Sequence, residues 1–263
     1  MKSLFHVLFC APLLLGATTP MFFTTDTPKS LLLETNIYTV QKETPLSEKE
    51  AALITHVKES IHNSWVGISQ ITEGTQREIE GISSSHVNHL LSSLCRFPHT
   101  RYLQISLGAG HSFISALHKN HETIDYAVGI DNWLDGKREV FEKNRSQFLL
   151  DNQCNYRIYP SNCFSLDPKK YIASPINIYF CAGSFDEASQ EKAFTYYNGV
   201  FDDLFVAVVD GWNAASTKAG TASAFKKLNY EILFEADLPA HRTLWWNGVY
   251  IAVVRKARLQ LEN

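Results

Sequence analysis

The stretch Tyr102-Leu-Gln-Ile-Ser-Leu-Gly-Ala-Gly110 decides how this chain folds. Its first half, Tyr102 to Ser106, has the pattern of a buried strand, and its second half carries the glycines of a tight turn. Gly108 and Gly110 have no Cβ, so the backbone there can adopt positive φ and approach a ligand closely. A helix is predicted directly afterwards, from about His111 to Lys119, and its first N–H groups point at the same place.

A second strand, Tyr126-Ala-Val-Gly-Ile130, follows and ends in Asp131. An acid at the end of the second strand of an α/β fold is placed to accept hydrogen bonds from ribose hydroxyls. The order of these elements therefore predicts a nucleotide site between the glycine turn and Asp131. The dinucleotide pattern wants a further glycine at position 113, where Phe113 stands, so a purely steric role of the glycines is the alternative.

The alternation of strands and helices continues to the C-terminus. Helices are predicted at 135–150, 186–197 and 214–228, and further strands at 156–159, 176–181, 204–209, 230–234 and 249–254. The near-continuous apolar run Leu204–Val209 is typical of a strand buried on both faces. Alternation predicts a doubly wound parallel sheet, and the last two strands, joined without a helix, must be antiparallel.

The N-terminal third is predicted to hold two helices that pack on the sheet. Ser47 and Glu50 form a capping box before the first, and the second runs from Ser84 to Leu94, with a polar connector between Gly74 and Gly81. The expected organisation is a signal-like or non-native segment at 1–20, a helical extension at 21–98, an α/β domain at 99–257 and a tail at 258–263.

The first twenty residues have the layout of a secretory signal: Lys2, an apolar run at 4–15, and small residues at 16–18. The run is too short to span a membrane as a helix, and we expect no stable span in the mature protein. The alternative is that translation begins at Met21. We expect a cytoplasmic protein, since the cysteine pattern indicates no oxidising compartment, and export is the alternative.

Composition excludes several classes of function. The net charge is −3 and no basic run is present, so no nucleic-acid partner is expected. The ten histidines have no metal-ligand spacing, and the five cysteines form no CxxC pair, so we predict neither a zinc site nor a disulfide framework. A small-molecule substrate is expected, and the oligomeric state is left open.

Four segments resemble the class I S-adenosylmethionine-dependent methyltransferases. Arg101–Ser106 is similar to that family's YLEIG strand, and Val128–Trp133 to its GIDNW segment. Phe205–Asn213 is similar to FIFIVDDWN, and Trp245–Ile251 to the closing strand WWNGIYIS. The resemblance covers roughly residues 80 to 256 and is nearest in character to the Methyltransferase-24 type. It implies a Rossmann-like, mostly parallel seven-stranded sheet with an antiparallel last strand and an N-terminal helical extension.

The resemblance also implies S-adenosyl-L-methionine as the cofactor and assigns residues to it. Cofactor-binding positions would be Gln104, Ser106, Gly108, Gly110, Asp131, Asn132, Asn162 and Cys163, with Trp133 as an alternative to Asn132 beside the adenine. Substrate-binding positions would be Gly183, Asp210, Trp212 and Asn213. Asp210 would be the catalytic base, and no metal ligand is assigned.

The chain departs from the family's pattern at three places. Gln104 and Ser106 stand where the family has an acid and a glycine, and Gly211 replaces the second acid of DDW. Ala182-Gly-Ser-Phe185 replaces Asp-Gly-x-His, which removes a candidate metal ligand and a general base. Asp186 is either a substitute for them or a residue that favours the helix dipole.

Three histidines and two tryptophans complete the list of candidates. His111 begins the helix after the glycine turn, where it either contacts a ligand or is solvated. His86 and His89 lie one helical turn apart and are expected to form a surface pair. Trp245 and Trp246 are expected to pack against the end of the sheet.

Three functions remain after these observations. The first is a methyltransferase acting on a small molecule or sugar-type substrate, metal-independent and slow. The second is a degenerate methyltransferase-like binding or interaction protein without catalysis. The third is a nicotinamide-dependent dehydrogenase, which the missing third glycine and the antiparallel closing pair argue against.

Overall fold

The computed structural model describes residues 38–39, 45–149, 154–183, 186–240, 245 and 247–257. The described helices are α1 (Glu48–Trp65), α2 (Glu73–Glu78), α3 (Ser85–Leu94), α4 (His111–Leu117), α5 (Arg138–Phe148), α6 (Pro168–Tyr171), α7 (Glu187–Thr195) and α8 (Ala215–Lys227). The strands are β1 (Tyr38–Thr39), β2 (Thr100–Ile105), β3 (Ile124–Asp131), β4 (Tyr156–Pro160), β5 (Ile176–Cys181), β6 (Phe201–Asp210), β7 (Tyr230–Leu238) and β8 (Val249–Lys256). A 3₁₀ turn covers Asn198–Val200.

The strands form one sheet in the order β1-β7-β8-β6-β5-β2-β3-β4. Strands β2 to β6 pair in parallel, whereas β8 is antiparallel to both β6 and β7. The chain order reverses between β2 and β5, and this reversal opens a crevice at the carboxyl ends of the two strands. The predicted doubly wound sheet with an antiparallel last strand is confirmed.

Side chains alternate between the two faces of the sheet and fill a core on each side. On β6, Val206 and Val208 belong to one core, and Phe205 and Ala207 to the other. The first core contains apolar residues of α1, α3, α4 and α5, and the second contains those of α7 and α8. Helices on both faces explain why β6 is apolar along nearly its whole length.

The N-terminal helices form for local reasons that the sequence contains. The Ser47 hydroxyl accepts a hydrogen bond from the Glu50 amide, and the Glu50 carboxylate accepts one from the Ser47 amide at 2.7 Å. This confirms the capping box. Leu53, Val57 and Ile61 then turn toward the first core, so α1 packs on the sheet.

Four short elements were not predicted: α2, α6, β1 and the 3₁₀ turn at Asn198–Val200. The connector that Gly74 and Gly81 were expected to bracket contains α2, because Thr72 caps it by accepting a hydrogen bond from the Thr75 amide at 3.1 Å. Gly74 lies in the first turn of α2. The two-residue strand β1 pairs antiparallel with β7 and makes the sheet eight-stranded rather than seven-stranded.

Within the described ranges, no helix is both long and apolar enough to cross a membrane. The signal-like segment 1–20, the tail 258–263 and Trp246 lie outside the described residues. Trp245 is fully buried and its ring meets those of Trp65 and His86 edge-on, at 5.4 Å between centroids in each case. The expected packing role of Trp245 is confirmed.

Candidate functional site

A cavity of about 570 Å³ lies at the carboxyl ends of β2, β3, β5 and β6. Its volume is in the range of small-molecule sites, and it occupies the crevice where the strand order reverses. Its walls come from the glycine turn, the ends of β3 and β6, the residues after β5 and the segment that leads into α3. Of the predicted site residues, it brings together Ser106, Gly108, Asp131, Asn132, Gly183 and Asp210.

The glycines of the turn have two different roles. Gly110 has φ +88°, and a Cβ built on it would lie 2.6 Å from the ring of Phe141, so this position is restricted by packing. Gly108 has φ +53° and no atom within 4 Å of such a Cβ. Gly108 also lines the cavity. A ligand can therefore approach the backbone at Gly108, whereas Gly110 allows α4 and α5 to pack.

The carboxylate of Asp131 holds the glycine turn. One oxygen accepts hydrogen bonds from the amides of Leu107 at 2.6 Å and Gly108 at 2.8 Å, and the other accepts one from the amide of Trp133 at 2.6 Å. An ionised carboxylate has about four acceptor positions, so one remains for a ligand. Asp131 thus fixes the shape of the cavity wall and still offers an acceptor to the cavity.

Gln104 lies beneath the turn, fully buried, and does not line the cavity. Its amide oxygen accepts a hydrogen bond from the Tyr102 hydroxyl, and its amide nitrogen donates to the Ser106 carbonyl and to Ser112 Oγ. Ser106 stands where the family's pattern has glycine, and its φ is +64°. The Gln104 amide thus supports a backbone conformation that a serine rarely adopts.

Asp210 ends β6 and faces the cavity from the side opposite Asp131. Burial raises the pKa of its carboxyl to about 6, and the hydrogen bond from the Gly211 amide opposes the rise. Its pKa lies close enough to neutrality for proton exchange at physiological pH. The raised pKa and the place of Asp210 at the cavity are those that a general base requires, and its catalytic role stays a prediction.

Besides Gln104 and Gly110, four predicted site residues do not line this cavity. Asn162 and Cys163 follow β4, where the Asn162 amide oxygen accepts a hydrogen bond from the Phe164 amide. Trp212 stacks on Tyr250 at 4.2 Å between ring centroids, on the face of the sheet that carries α8. The backbone N–H of Asn213 donates to the Asn247 carbonyl at 2.9 Å, which ties the turn after β6 to the β7–β8 connection.

His111 lines the cavity although it was not assigned to the site. Neither ring nitrogen has a hydrogen-bond partner among the residues that the structure describes. Burial lowers the pKa of the imidazole, and the nearby Gln76 carbonyl opposes this without reaching hydrogen-bond geometry. The ring is therefore neutral at physiological pH, and its half-buried position contradicts a solvated histidine.

The segment at residues 81–84, which leads into α3 and forms the roof of the cavity, is held in place by buried polar groups that were not predicted from the sequence. Asn144 of α5 donates to the carbonyls of Glu80 and Ala109, and so ties the roof to the glycine turn. Asn144 is 1% exposed. The sequence offers only a weak signal for this role, an asparagine on the inward face of an amphipathic helix.

The predicted surface pair of histidines is wrong for His89, which is 2% exposed. Its ring nitrogens bond to Ser69 Oγ at 2.8 Å and to the Gln76 amide at 3.0 Å. Gln76 bonds in turn to Asn88, which is bonded to Ser83 at the cavity wall. The polar face of α3 was taken as solvated, but it packs against α2, whose existence was not predicted.

Asp186 does not replace the acid that is missing after β5. Its carboxylate accepts a hydrogen bond from the Ser189 amide at 2.7 Å and caps α7, which is the alternative role given to it. Ser184 and Phe185 lie outside the described residues. In the part of the chain that the structure covers, no group of three or more His, Cys, Asp or Glu side chains is arranged to hold a metal ion.

Comparison with solved structures identifies the fold. An O-methyltransferase from Bacillus cereus in complex with SAH superposes with a TM-score of 0.54 at 13% identity, over 77% of this chain and 100% of that chain. TomG from Streptomyces achromogenes, an O-methyltransferase involved in tomaymycin synthesis and solved with SAM, gives a TM-score of 0.50 at 14% identity, over 81% and 92% of the two chains.

Sequence comparison adds no closer relationship. No protein-family model matches the chain, and a search of curated proteins finds no match. The likeness to solved structures, at these identities, establishes the class I methyltransferase fold that the resemblance implied. The narrower resemblance to the Methyltransferase-24 type stays a prediction.

Proposed function

We propose that this chain binds S-adenosyl-L-methionine in the 570 Å³ cavity and transfers its methyl group to a small molecule. The observation that carries the proposal is the cavity wall, where an open glycine backbone at Gly108 lies beside the Asp131 carboxylate, opposite Asp210. The class I methyltransferase fold supports the same site, because ligands of doubly wound sheets bind in this crevice.

The residues of the wall suit such a cofactor. A side chain at position 108 would project into the cavity, so glycine keeps the backbone accessible. Asp131 has one acceptor position left for a ribose hydroxyl. Asn132 follows it at the cavity wall and offers an amide for an adenine edge. When bound, S-adenosyl-L-methionine supplies an electrophilic methyl group on a sulfonium.

Asp210 would remove the proton from the substrate's nucleophile. With a pKa of about 6, its carboxylate is mostly ionised at pH 7. Its burial excludes competing water, which strengthens its interaction with a hydroxyl or amine of the substrate. The neutral His111 ring is a second base at this cavity, but its nitrogens are buried and the ring would have to turn to reach a substrate.

The wall around Asp210 favours a substrate with an apolar body. Phe180 of β5 and Ala182 directly after it line the cavity, and β5 pairs with β6, which ends in Asp210. Val87 and Ile82 also line the cavity, and 78% of the Ile82 surface is exposed. A sugar would meet few hydrogen-bond partners on these side chains. Within the proposed class, a small hydroxylated or aminated molecule with an apolar part therefore fits better than a sugar-type substrate.

A second function is supported by a specific observation. The acid and the histidine of the family's Asp-Gly-x-His pattern, which would follow β5, are replaced, and Asp186 only caps a helix. A protein that binds the cofactor without turnover, acting as an interaction module, would keep Gly108 and Asp131 but would not need Asp210.

Binding and turnover separate these functions. Thermal-shift and calorimetric titrations with S-adenosylmethionine, S-adenosylhomocysteine and NAD test the cofactor first. A methylation assay on a fractionated metabolite extract then tests turnover, with Asp210→Asn as the control. Cofactor binding with no methylated product in any fraction would favour the interaction module, and tighter binding of NAD would contradict the proposal.

We place this activity in the cytoplasm. The four described cysteines are free thiols, as expected of a protein in a reducing compartment. The cofactor is also made and used in the cytosol. Fractionation of native cells with N-terminal sequencing tests the assignment, and recovery outside the cytoplasm with a mature end between Ala17 and Pro20 would overturn it.

A further inference from the structure

The hydrogen bonds around Gln104 can have only one direction each. The Ser106 carbonyl is an acceptor only, so the amide group that faces it at 3.2 Å must be the nitrogen. The amide oxygen is then left to face the Tyr102 hydroxyl, at 2.8 Å, which must donate. Burial raises the pKa of Tyr102 well above its ordinary value, so this hydroxyl stays protonated.

The second N–H of the Gln104 amide faces Ser112 Oγ at 2.8 Å, and Ser112 therefore accepts. The hydroxyl hydrogen of Ser112 is left to donate elsewhere. Ser112 lines the cavity, and among the described residues its hydroxyl has no acceptor. The hydrogen bond from Gln104 directs the Ser112 O–H away from the amide and leaves that hydrogen for an acceptor atom of a ligand.

We propose that Tyr102, Gln104 and Ser112 form a neutral relay that orients the Ser112 hydroxyl toward an acceptor on the amino-acid part of the bound cofactor. The relay rests on the proposed function, since it presumes that this cofactor occupies the cavity. Gln104 is then a positioning residue that acts through Ser106 and Ser112 and does not touch the ligand. What the site requires at position 104 is an amide and not a negative charge.

Because of this relay, we expect Gln104→Glu, which restores the acid of the family's pattern, to weaken cofactor binding rather than strengthen it. A glutamate at position 104 has no N–H for the Ser106 carbonyl or for Ser112, and would set an oxygen against a carbonyl in a fully buried position. Burial also raises the pKa of such a carboxyl. Protonation returns one O–H donor to it. Gln104→Glu therefore weakens cofactor binding at high pH and recovers part of it at low pH.

The test is calorimetry of the full chain with two probes, S-adenosylhomocysteine and 5′-methylthioadenosine, which lacks the amino-acid part. At pH 8, Gln104→Glu and Ser112→Ala should each weaken S-adenosylhomocysteine binding about tenfold or more, the scale of one hydrogen bond to a charged acceptor. Ser112→Ala should change 5′-methylthioadenosine binding less than about twofold. Between pH 8 and pH 6, the affinity of Gln104→Glu should rise several-fold more than that of the parent.

The chain offers a matched control in Gln190, which is also fully buried and donates to Thr221 Oγ1 at 3.0 Å, away from the cavity. Gln190→Glu should lower the Tm and leave both affinities within about twofold. If Gln104→Glu does not fold, Tyr102→Phe replaces it, and weaker binding of S-adenosylhomocysteine alone is expected.

Two results overturn the relay by itself: Gln104→Glu binds S-adenosylhomocysteine as tightly as the parent at pH 8, or Ser112→Ala weakens both probes equally. Failure of the parent chain to bind either probe overturns the proposed function, and the relay with it.

Discussion

Replacing Asp131 with alanine should damage both the cofactor site and the fold. The substitution leaves the amides of Leu107, Gly108 and Trp133 without the carboxylate that now accepts from them at 2.6 to 2.8 Å. Because Leu107 and Gly108 line an open cavity, water can replace part of what is lost at their amides.

The magnitude follows from the number and kind of these bonds. A hydrogen bond to a charged acceptor contributes about 1.5–3 kcal/mol net. Water in the cavity can replace most of the contribution of the bonds to Leu107 and Gly108 but not that of the bond to Trp133, which leaves a loss of roughly 2–3 kcal/mol of unfolding free energy. For a chain of this size that lowers the Tm by about 5–10 °C. Loss of the acceptor for the ribose costs a further ~2–3 kcal/mol of binding free energy, or roughly 30- to 150-fold in Kd.

Calorimetry with S-adenosylhomocysteine and thermal unfolding measure the two effects separately. Asp135→Ala is the control, because Asp135 also lines the cavity but bonds only to exposed groups of Lys137, through an ion pair at 2.9 Å and a hydrogen bond from the Lys137 amide at 3.2 Å. It should change either quantity by less than about 0.5 kcal/mol. An Asp131→Ala protein with parental Tm and parental affinity would refute the role given to this carboxylate.

Three further predictions concern other residues of the site. Asp210→Asn should lower the methyl-transfer rate by ~10²–10⁴ and remove the limb of the pH–rate profile near pH 6. Burial raises the pKa of Asp210 in the folded protein above that in the unfolded chain, so ionisation of the carboxyl lowers stability as the pH rises, and the full cost is present above about pH 6. Asp210→Asn should therefore raise the Tm at pH 8, and a lower Tm there would contradict the burial effect. Gly110→Ala should lower the free energy of unfolding by roughly 2–4 kcal/mol, since its Cβ would meet the Phe141 ring. Gly108→Ala should lower it by only about 1 kcal/mol and mainly weaken cofactor binding. Denaturant titration measures the change in stability and calorimetry the change in binding. Methyl transfer should be unchanged by a chelator in the same assay, and activity abolished by chelation would reveal a metal site built in part by residues outside those described.

The sheet was predictable because its signals are local. The apolar run of β6 and the glycine turn after β2 each specify an element without reference to the rest of the chain. The helix α2 was not predictable from its polar composition, since its six residues bury only Gln76 and depend on the Thr72 cap. The error at His89 follows from this, because its partner Gln76 lies on that helix.

The candidate site was predictable in part. Gly108, Asp131 and Asp210 follow strands whose carboxyl ends meet at one edge, so strand order alone brings them together. Trp212 lies two residues after Asp210, yet it packs on the opposite face, because the turn at Gly211, with φ +72°, redirects the chain. Gln104 and Asn144 act through hydrogen bonds between segments distant in sequence, which periodicity does not reveal.

The central claim is that the cavity between Gly108 and Asp210 is a cofactor site. A crystal structure of the full chain grown with S-adenosylhomocysteine tests it most directly. We expect density for the ligand in this cavity, with a ribose hydroxyl within hydrogen-bond distance of Asp131 and the amino-acid part beside Ser112. Ligand density at another place on the molecule, or a cavity without density at a saturating ligand concentration, would contradict it.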